Sequence, residues 1–183
     1  EVSFEESCLL ATLRGRAYLL MVGTVEPRKA HAPVLAAHRK LLESQPENFP
    51  ILIIVGKPGW RTAKTQNMLT GLSLEKDGAL WLSAGSDELL EQLYRGCAGL
   101  IAASLDEGYC LPIAEGLAHQ KPVLARDIAL FREFESRLIN YFESDDKFSL
   151  SAELGRFSTA SWPSLSYSTL GWDESAMSMI AAV

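Results

Sequence analysis

An α/β fold, with a parallel sheet covered by helices on both faces, is what this sequence predicts, and three observations lead there. Short apolar runs alternate with longer amphipathic stretches along most of the 183 residues. Two of the runs, Tyr18-Leu19-Leu20-Met21-Val22 and Ile51-Leu52-Ile53-Ile54-Val55, are apolar throughout, as strands buried on both faces are. Each is followed directly by a glycine, Gly23 or Gly56, which marks a sharp turn at the strand end.

On this pattern strands are expected at residues 17–23, 51–56, 79–83, 98–104 and 122–125, with a weaker sixth at 138–142. Helices are expected between them at 32–44, 61–72, 87–96 and 111–119. The helix at 111–119 opens on Leu111-Pro112, since proline fits the first helical turn, and it stops near Gln120 before Pro122 leads into the next strand. Residues 158–169 are rich in Ser, Thr and Pro and read as an irregular crossing. No internal repeat or long linker interrupts the chain, so one domain is the simplest count.

Composition narrows the function. The formal net charge is −6 and the Lys and Arg residues are scattered, which argues against a general nucleic-acid surface. No apolar run approaches the roughly 20 residues of a membrane span, and the N-terminal stretch lacks signal-peptide features, so a cytoplasmic location is expected. Three cysteines, Cys8, Cys97 and Cys110, show no paired spacing for disulfides or zinc. Cys97 reads as a small buried residue. His31 and His38 read as loop and helix-surface residues, and His119 as a helix-end residue that caps carbonyls.

The segment Asp106-Glu107-Gly108-Tyr109-Cys110-Leu111-Pro112-Ile113-Ala114-Glu115 carries most of the chemistry. Glu107 would sit at the carboxyl end of a buried strand, where open α/β sheets bind ligands. Glu115 would lie one turn into the following helix, whose first N–H groups suit an anion. The two acids can converge on one ligand. The plain alternative is that carboxylates near a helix start merely favour its dipole, by roughly 0.3–1 kcal/mol each. A second anion site is suggested by Gly23-Thr24-Val25-Glu26-Pro27-Arg28-Lys29: the glycine permits close backbone approach, and the two cations suit a diphosphate. The loop Gly56-Lys57-Pro58-Gly59-Trp60 either bounds that pocket or is a tight turn with Trp60 packed on a helix.

Glu107 and Glu115, with seven residues between them and a Gly-aromatic-x-Leu-Pro core, resemble the E-x7-E signature of family 4 glycosyltransferases, enzymes of the two-domain GT-B architecture. The loop after the first strand, the helix at Ser86–Tyr94, the segment from Ala125 to Glu133 and the stretch Trp172–Ala176 resemble that family's donor-binding domain in the same order. Val22-Gly-Thr-x-Glu-Pro-Arg-Lys29 and Ala125-Arg-Asp-Ile128 look most like bacterial mannosyltransferases that build O-antigen or related polysaccharides. The resemblance implies the C-terminal half of a GT-B enzyme. Residues 1–16 would be the remnant of the interdomain connection, with a helix there. Residues 17–160 would be the nucleotide-sugar-binding Rossmann-like domain, and 161–183 a crossing segment and helix anchored by Trp162, Tyr167 and Trp172.

It further implies retaining hexose transfer, from GDP-mannose, without a metal or other cofactor. The glycan acceptor would bind through an N-terminal domain that this chain does not hold, and the full-length enzyme could dock peripherally at the inner face of the membrane. Lys29 and Arg28 would neutralise the leaving diphosphate, Glu107 would orient the sugar, and Glu115 would accept from the ribose diol. Gly23, Thr24, Tyr109, Cys110 and Leu111 would line the donor. Residues 81–86 would hold the base. Two departures from the family stand out, Thr24 where arginine is frequent and Cys110 where glycine is usual. A UDP-sugar donor and a non-catalytic Rossmann-like binding module are the alternatives.

Overall fold

The computed structural model describes residues 2–45 and 49–161. Its element order is α1 (Phe4–Leu13), β1 (Tyr18–Val22), a 3-10 turn (Pro27–Lys29), α2 (His31–Ser44), β2 (Ile51–Val55), α3 (Ala63–Thr70), α4 (Leu74–Asp77) and β3 (Ala79–Leu82). There follow α5 (Asp87–Gly96), β4 (Gly99–Ala102), α6 (Leu111–Ala118), β5 (Val123–Arg126), α7 (Ala129–Arg132), β6 (Ile139–Phe142) and α8 (Lys147–Thr159).

The six strands form one sheet in the order β3-β2-β1-β4-β5-β6, and every pair is parallel. All six expected strands are present. Side-chain alternation divides the core between two faces. Leu19, Met21, Leu52, Ile54, Ile101 and Leu124 point to one side, where Val34, Leu41, Leu69, Leu154 and Phe157 of α2, α3 and α8 cover them. Leu20, Ile53, Leu100, Val123 and Ala125 point to the other, against Leu13, Leu93, Ile113, Leu117 and Phe131 of α1, α5, α6 and α7. The apolar runs are therefore continuous because both faces are buried.

The order reverses between β1 and β4. Chain leaving β1 turns towards β2, and chain leaving β4 turns towards β5, so a crevice opens above their carboxyl ends. The loops after these strands carry the motifs singled out above.

Several expectations need correction. The helix expected at 61–72 is α3, and the sequence reading has no counterpart for α4, α7 or α8. Asp146 starts α8 by accepting from the N–H groups of Phe148 and Ser149. The helix runs on to Thr159, so the irregular crossing does not begin at 158; its part from Trp162 on, and the following stretch with Trp172, lie outside the described residues. His31 and His38 are not surface residues. Both are buried on the inner face of α2, and His38 packs edge-on against Phe49 with Nε2 3.2 Å from the Pro50 carbonyl oxygen. Burial pushes both imidazoles down to about pKa 4, so they are neutral at pH 7. Cys97 is buried as expected, and residues 1–16 do contain a helix. That helix is tied to the domain through Glu6, whose carboxylate accepts from the N–H and hydroxyl of Ser86 at 2.7 and 3.1 Å.

Candidate functional site

The loop leaving β1 is shaped by backbone. Gly23 has φ +141°, a conformation open chiefly to glycine. The loop after β2 lies directly against it. A Cβ on Gly56 would fall 1.9 Å from the Gly23 carbonyl oxygen, so no side chain fits there. Val25 and Pro58 form a parallel bridge, the Val25 N–H donates to the Lys57 carbonyl at 2.9 Å, and the Gly59 N–H donates back to Val25 at 3.0 Å. Residues 56–60 therefore brace the first loop. Trp60 is exposed and lies beside the Arg61 guanidinium, so of the two readings left open for this loop the one with Trp60 packed on a helix does not hold.

Pro27 fixes the first turn of the 3-10 segment, and Ala30, in the left-handed region at φ +55°, bends the chain into α2. Arg28 and Lys29 are thereby turned towards the β4 loop. That loop is joined to the turn by a main-chain bond from the Leu105 N–H to the Arg28 carbonyl at 2.7 Å.

Glu107 is the hub. Its Oε1 accepts from Ser104 Oγ at 2.7 Å and pairs closely with Lys29 Nζ, while Oε2 accepts from Arg28 at 2.6 Å. Arg28 also donates to the Asp106 carbonyl at 3.1 Å and to Glu26 at 2.8 Å. The Glu107 side chain is only 6% exposed, against 12% for Lys29 and 42% for Arg28. Burial acts to raise the Glu107 pKa. The hydrogen bonds from Lys29, Ser104 and Arg28 overcome that and hold it below the ordinary carboxylate value.

Gly23 completes the floor, because a Cβ there would lie 3.4 Å from Lys29 Nζ. The structure thus joins Gly23, Arg28, Lys29 and Glu107. Thr24 sits next to Gly23, in the loop braced by Gly59.

Glu115 is placed differently. It is half-buried on α6, and its Oε2 accepts from the Tyr94 hydroxyl at 2.5 Å. The two signature acids share no partner among the described residues. Tyr109 and Leu111 are exposed, and the Tyr109 ring lies 5.7 Å from that of Phe134. Pro112 has no N–H and that of Ile113 turns back to the Cys110 carbonyl at 3.1 Å, so an anion at this helix start would meet the N–H groups up to Leu111.

His119 is the C-cap of α6, and its backbone N–H donates to the Glu115 carbonyl at 3.1 Å, while its ring is engaged elsewhere. Its Nε2 lies 3.0 Å from Glu91, and its ring stacks on Tyr94. The indole N–H of Trp81 donates to the Gly56 carbonyl at 2.9 Å, which ties β3 to the bracing loop.

Cys110 takes φ +65°, ψ +67° with its thiol buried, and burial pushes that thiol up to about pKa 11. It is a protonated thiol at pH 7. A left-handed conformation costs a non-glycine residue about 1–2 kcal/mol. We expect Cys110→Gly to be more stable than Cys110→Ala by about 1 kcal/mol in urea unfolding, because both lose the thiol and only glycine relieves the backbone. Equal stabilities would show that the turn carries no such strain.

Sequence reading missed three side chains at this edge. Ser104 and Tyr94 each hold one signature acid. Arg126, buried at the end of β5, donates to the Ala103 carbonyl at 2.9 Å, pairs with Asp145 and faces the Phe142 ring at 5.1 Å. Only Ser104, a hydroxyl at a strand end three residues before an acid, left a local signal.

The family model described as glycosyl transferases group 1 matches residues 11–149. The chain belongs to this family. Among its group 1 relatives, the serotype-specific mannosyltransferase WbdA of Escherichia coli is 39% identical over 137 residues, covering 75% of this chain and 17% of WbdA. The O-antigen chain mannosyltransferase RfbU of Salmonella typhimurium is 29% identical over 130 residues, covering 71% of this chain and 35% of RfbU. The chain thus spans about a sixth to a third of these relatives. Among solved structures, an α,α-trehalose-phosphate synthase (UDP-forming) from Burkholderia vietnamiensis superposes with a TM-score of 0.69 at 15% identity, over 86% of this chain and 40% of that one. The E. coli structure described as trehalose-6-phosphate bound with UDP-2-fluoro glucose superposes with a TM-score of 0.70 at 18% identity, over 88% and 40%. The Rossmann-like sheet of this group 1 chain is the fold found in these GT-B glycosyltransferase structures. Among its described residues no helix is long and apolar enough to cross a membrane, and no group of three or more His, Cys, Asp or Glu is placed to hold a metal ion.

Proposed function

We propose that this chain is the donor-binding, C-terminal half of a retaining family 4 glycosyltransferase that moves mannose from GDP-mannose to a growing O-antigen or related glycan. The observation that carries this reading is the convergence of Lys29, Arg28 and Glu107 in the crevice between β1 and β4, in a group 1 chain whose relatives include mannosyltransferases. Residues 17–160 form the nucleotide-sugar-binding unit in this reading, residues 1–16 belong to the connection with an acceptor-binding domain, and 161–183 to the returning segment.

The chemistry follows from the donor sets. An ammonium has three N–H donors and a guanidinium five, so Lys29 and Arg28 can hold Glu107 and still meet a diphosphate. They neutralise charge as the sugar–phosphate bond breaks, which is stabilisation where charge develops and requires no metal. Glu107, held by Ser104, orients the sugar hydroxyls. Gly23 and Thr24 form the floor and wall beside the phosphates, Tyr109, Cys110 and Leu111 line the opposite side, and Glu115 accepts from the ribose diol. The acceptor glycan reaches the crevice from the second domain, on the cytoplasmic side of the membrane.

Hydrogen bonds to a charged carboxylate contribute about 1.5–3 kcal/mol. Calorimetry with GDP, UDP, GDP-mannose and UDP-glucose is therefore expected to show guanine preference, and Glu115→Ala to weaken the best ligand at least tenfold without unfolding the chain. Preference for uracil would reassign the donor to a UDP-sugar. Unchanged affinity in the variant would take Glu115 out of the site.

A further inference from the structure

Tyr94 belongs to α5, outside the signature, and is 2% exposed. Its hydroxyl ends on Glu115 Oε2 at 2.5 Å. Its ring is fixed from the side by His119, stacked at a centroid distance of 5.5 Å and 10° between planes, and His119 is itself held by Glu91 at 3.0 Å. Burial raises the phenol far above its ordinary pKa, with the Glu115 hydrogen bond acting the same way, so the O–H is always the donor and the carboxylate the acceptor.

The backbone beneath Glu115 is equally fixed. Ile113 and Leu117 are fully buried on either side of it, and α6 lies so close to β4 that a Cβ on Gly116 would sit 2.9 Å from the Leu100 side chain.

The geometry points to Tyr94 as a positioning residue that orients the Glu115 carboxylate for capture of a vicinal diol, an inference that rests on the reading of Glu115 as the residue that meets the nucleoside. A half-buried glutamate has a broad terminal torsion and loses rotamer freedom when it is pinned. One bond from an immobile phenol fixes that torsion before any ligand arrives. A carboxylate has about four acceptor sites. Tyr94 takes one on Oε2, which leaves the acceptor sites of Oε1 and the second on Oε2 for two neighbouring hydroxyls. His119 and Glu91 act one step further back, by holding the phenol ring.

The test compares the wild-type chain, Tyr94→Phe and Glu115→Ala for binding whichever of GDP and UDP binds better, and for binding the 2′,3′-dideoxy form of the same diphosphate. We expect Tyr94→Phe to weaken the ribonucleotide about tenfold and to leave the dideoxy form unchanged, with a folded circular dichroism spectrum. A purely structural tyrosine would shift both ligands alike. If Glu115→Ala abolishes the ribose preference while Tyr94→Phe keeps it, the positioning role is overturned and the donor site stands. If Glu115→Ala itself keeps the preference, or neither diphosphate binds, the reading of Glu115 falls and the role of Tyr94 falls with it.

Discussion

Glu107→Gln is expected to bind GDP at least as tightly as wild type, and to lose whatever extra affinity GDP-mannose has over GDP. The carboxylate competes with a diphosphate for Lys29 and Arg28, both of which it contacts directly. Removing its charge frees those cations for phosphate and takes away the group proposed to hold the sugar. The same change should cost about 2 kcal/mol of stability at pH 7, since charge-assisted hydrogen bonds to a well-buried carboxylate are lost and two cations remain beside a neutral amide. The pH dependence has a definite sign. The folded pKa of Glu107 lies below its ordinary 4.5, so its contribution is fully present above about that pH and disappears as pH falls through the folded value. Urea unfolding of the two proteins at pH 7 and at low pH checks this, with stabilities expected to differ at pH 7 and converge in acid. Equal stability at pH 7 together with an unchanged preference for GDP-mannose would overturn the role assigned to Glu107.

Lys29→Met should weaken GDP by about 10- to 100-fold and leave guanosine unaffected, because the ammonium is proposed to act on phosphate alone. Lys29 is the more enclosed of the two cations, seated against Gly23, whereas the Arg28 side chain is more exposed and divides its donors among Glu26, Glu107 and the Asp106 carbonyl. Arg28→Met should therefore cost less. Calorimetry with GDP and guanosine separates these expectations; a folded Lys29→Met chain that retains wild-type GDP affinity would remove the lysine from the phosphate site.

The sheet was legible because β1, β2 and β4 are short apolar runs with both faces buried, while β6, with Asn140 exposed, gave the weaker signal. What escaped were α4, α7 and α8. The first two are single turns, and α8 begins at Asp146 among polar and charged residues that look like loop. The histidines misled for a related reason. His31 and His38 are polar by type, yet α2 turns both inward, a placement set by packing against the sheet. At the site, Gly23, Arg28, Lys29 and Glu107 were readable because they follow strand ends at the point where the strand order reverses. The partners that hold the signature acids were hidden to different degrees. Ser104 lies three residues before the first signature acid, but Tyr94 comes from another helix and reaches Glu115 only through tertiary packing.

The clamp between the loops after β1 and β2 sets which parts of the crevice can respond to an arriving molecule. Gly56 against Gly23, the Val25–Pro58 bridge and the Trp81 indole bond together leave the backbone at residues 23–25 no slack for a hinge. A ligand settling there meets a surface already shaped, so little ordering entropy opposes it on that side. Adaptation falls to the groups left exposed around the rim, above all the Tyr109 and Leu111 side chains. In the proposed function, discrimination among donors that share a diphosphate would rest with the exposed rim, while the braced floor would treat them alike.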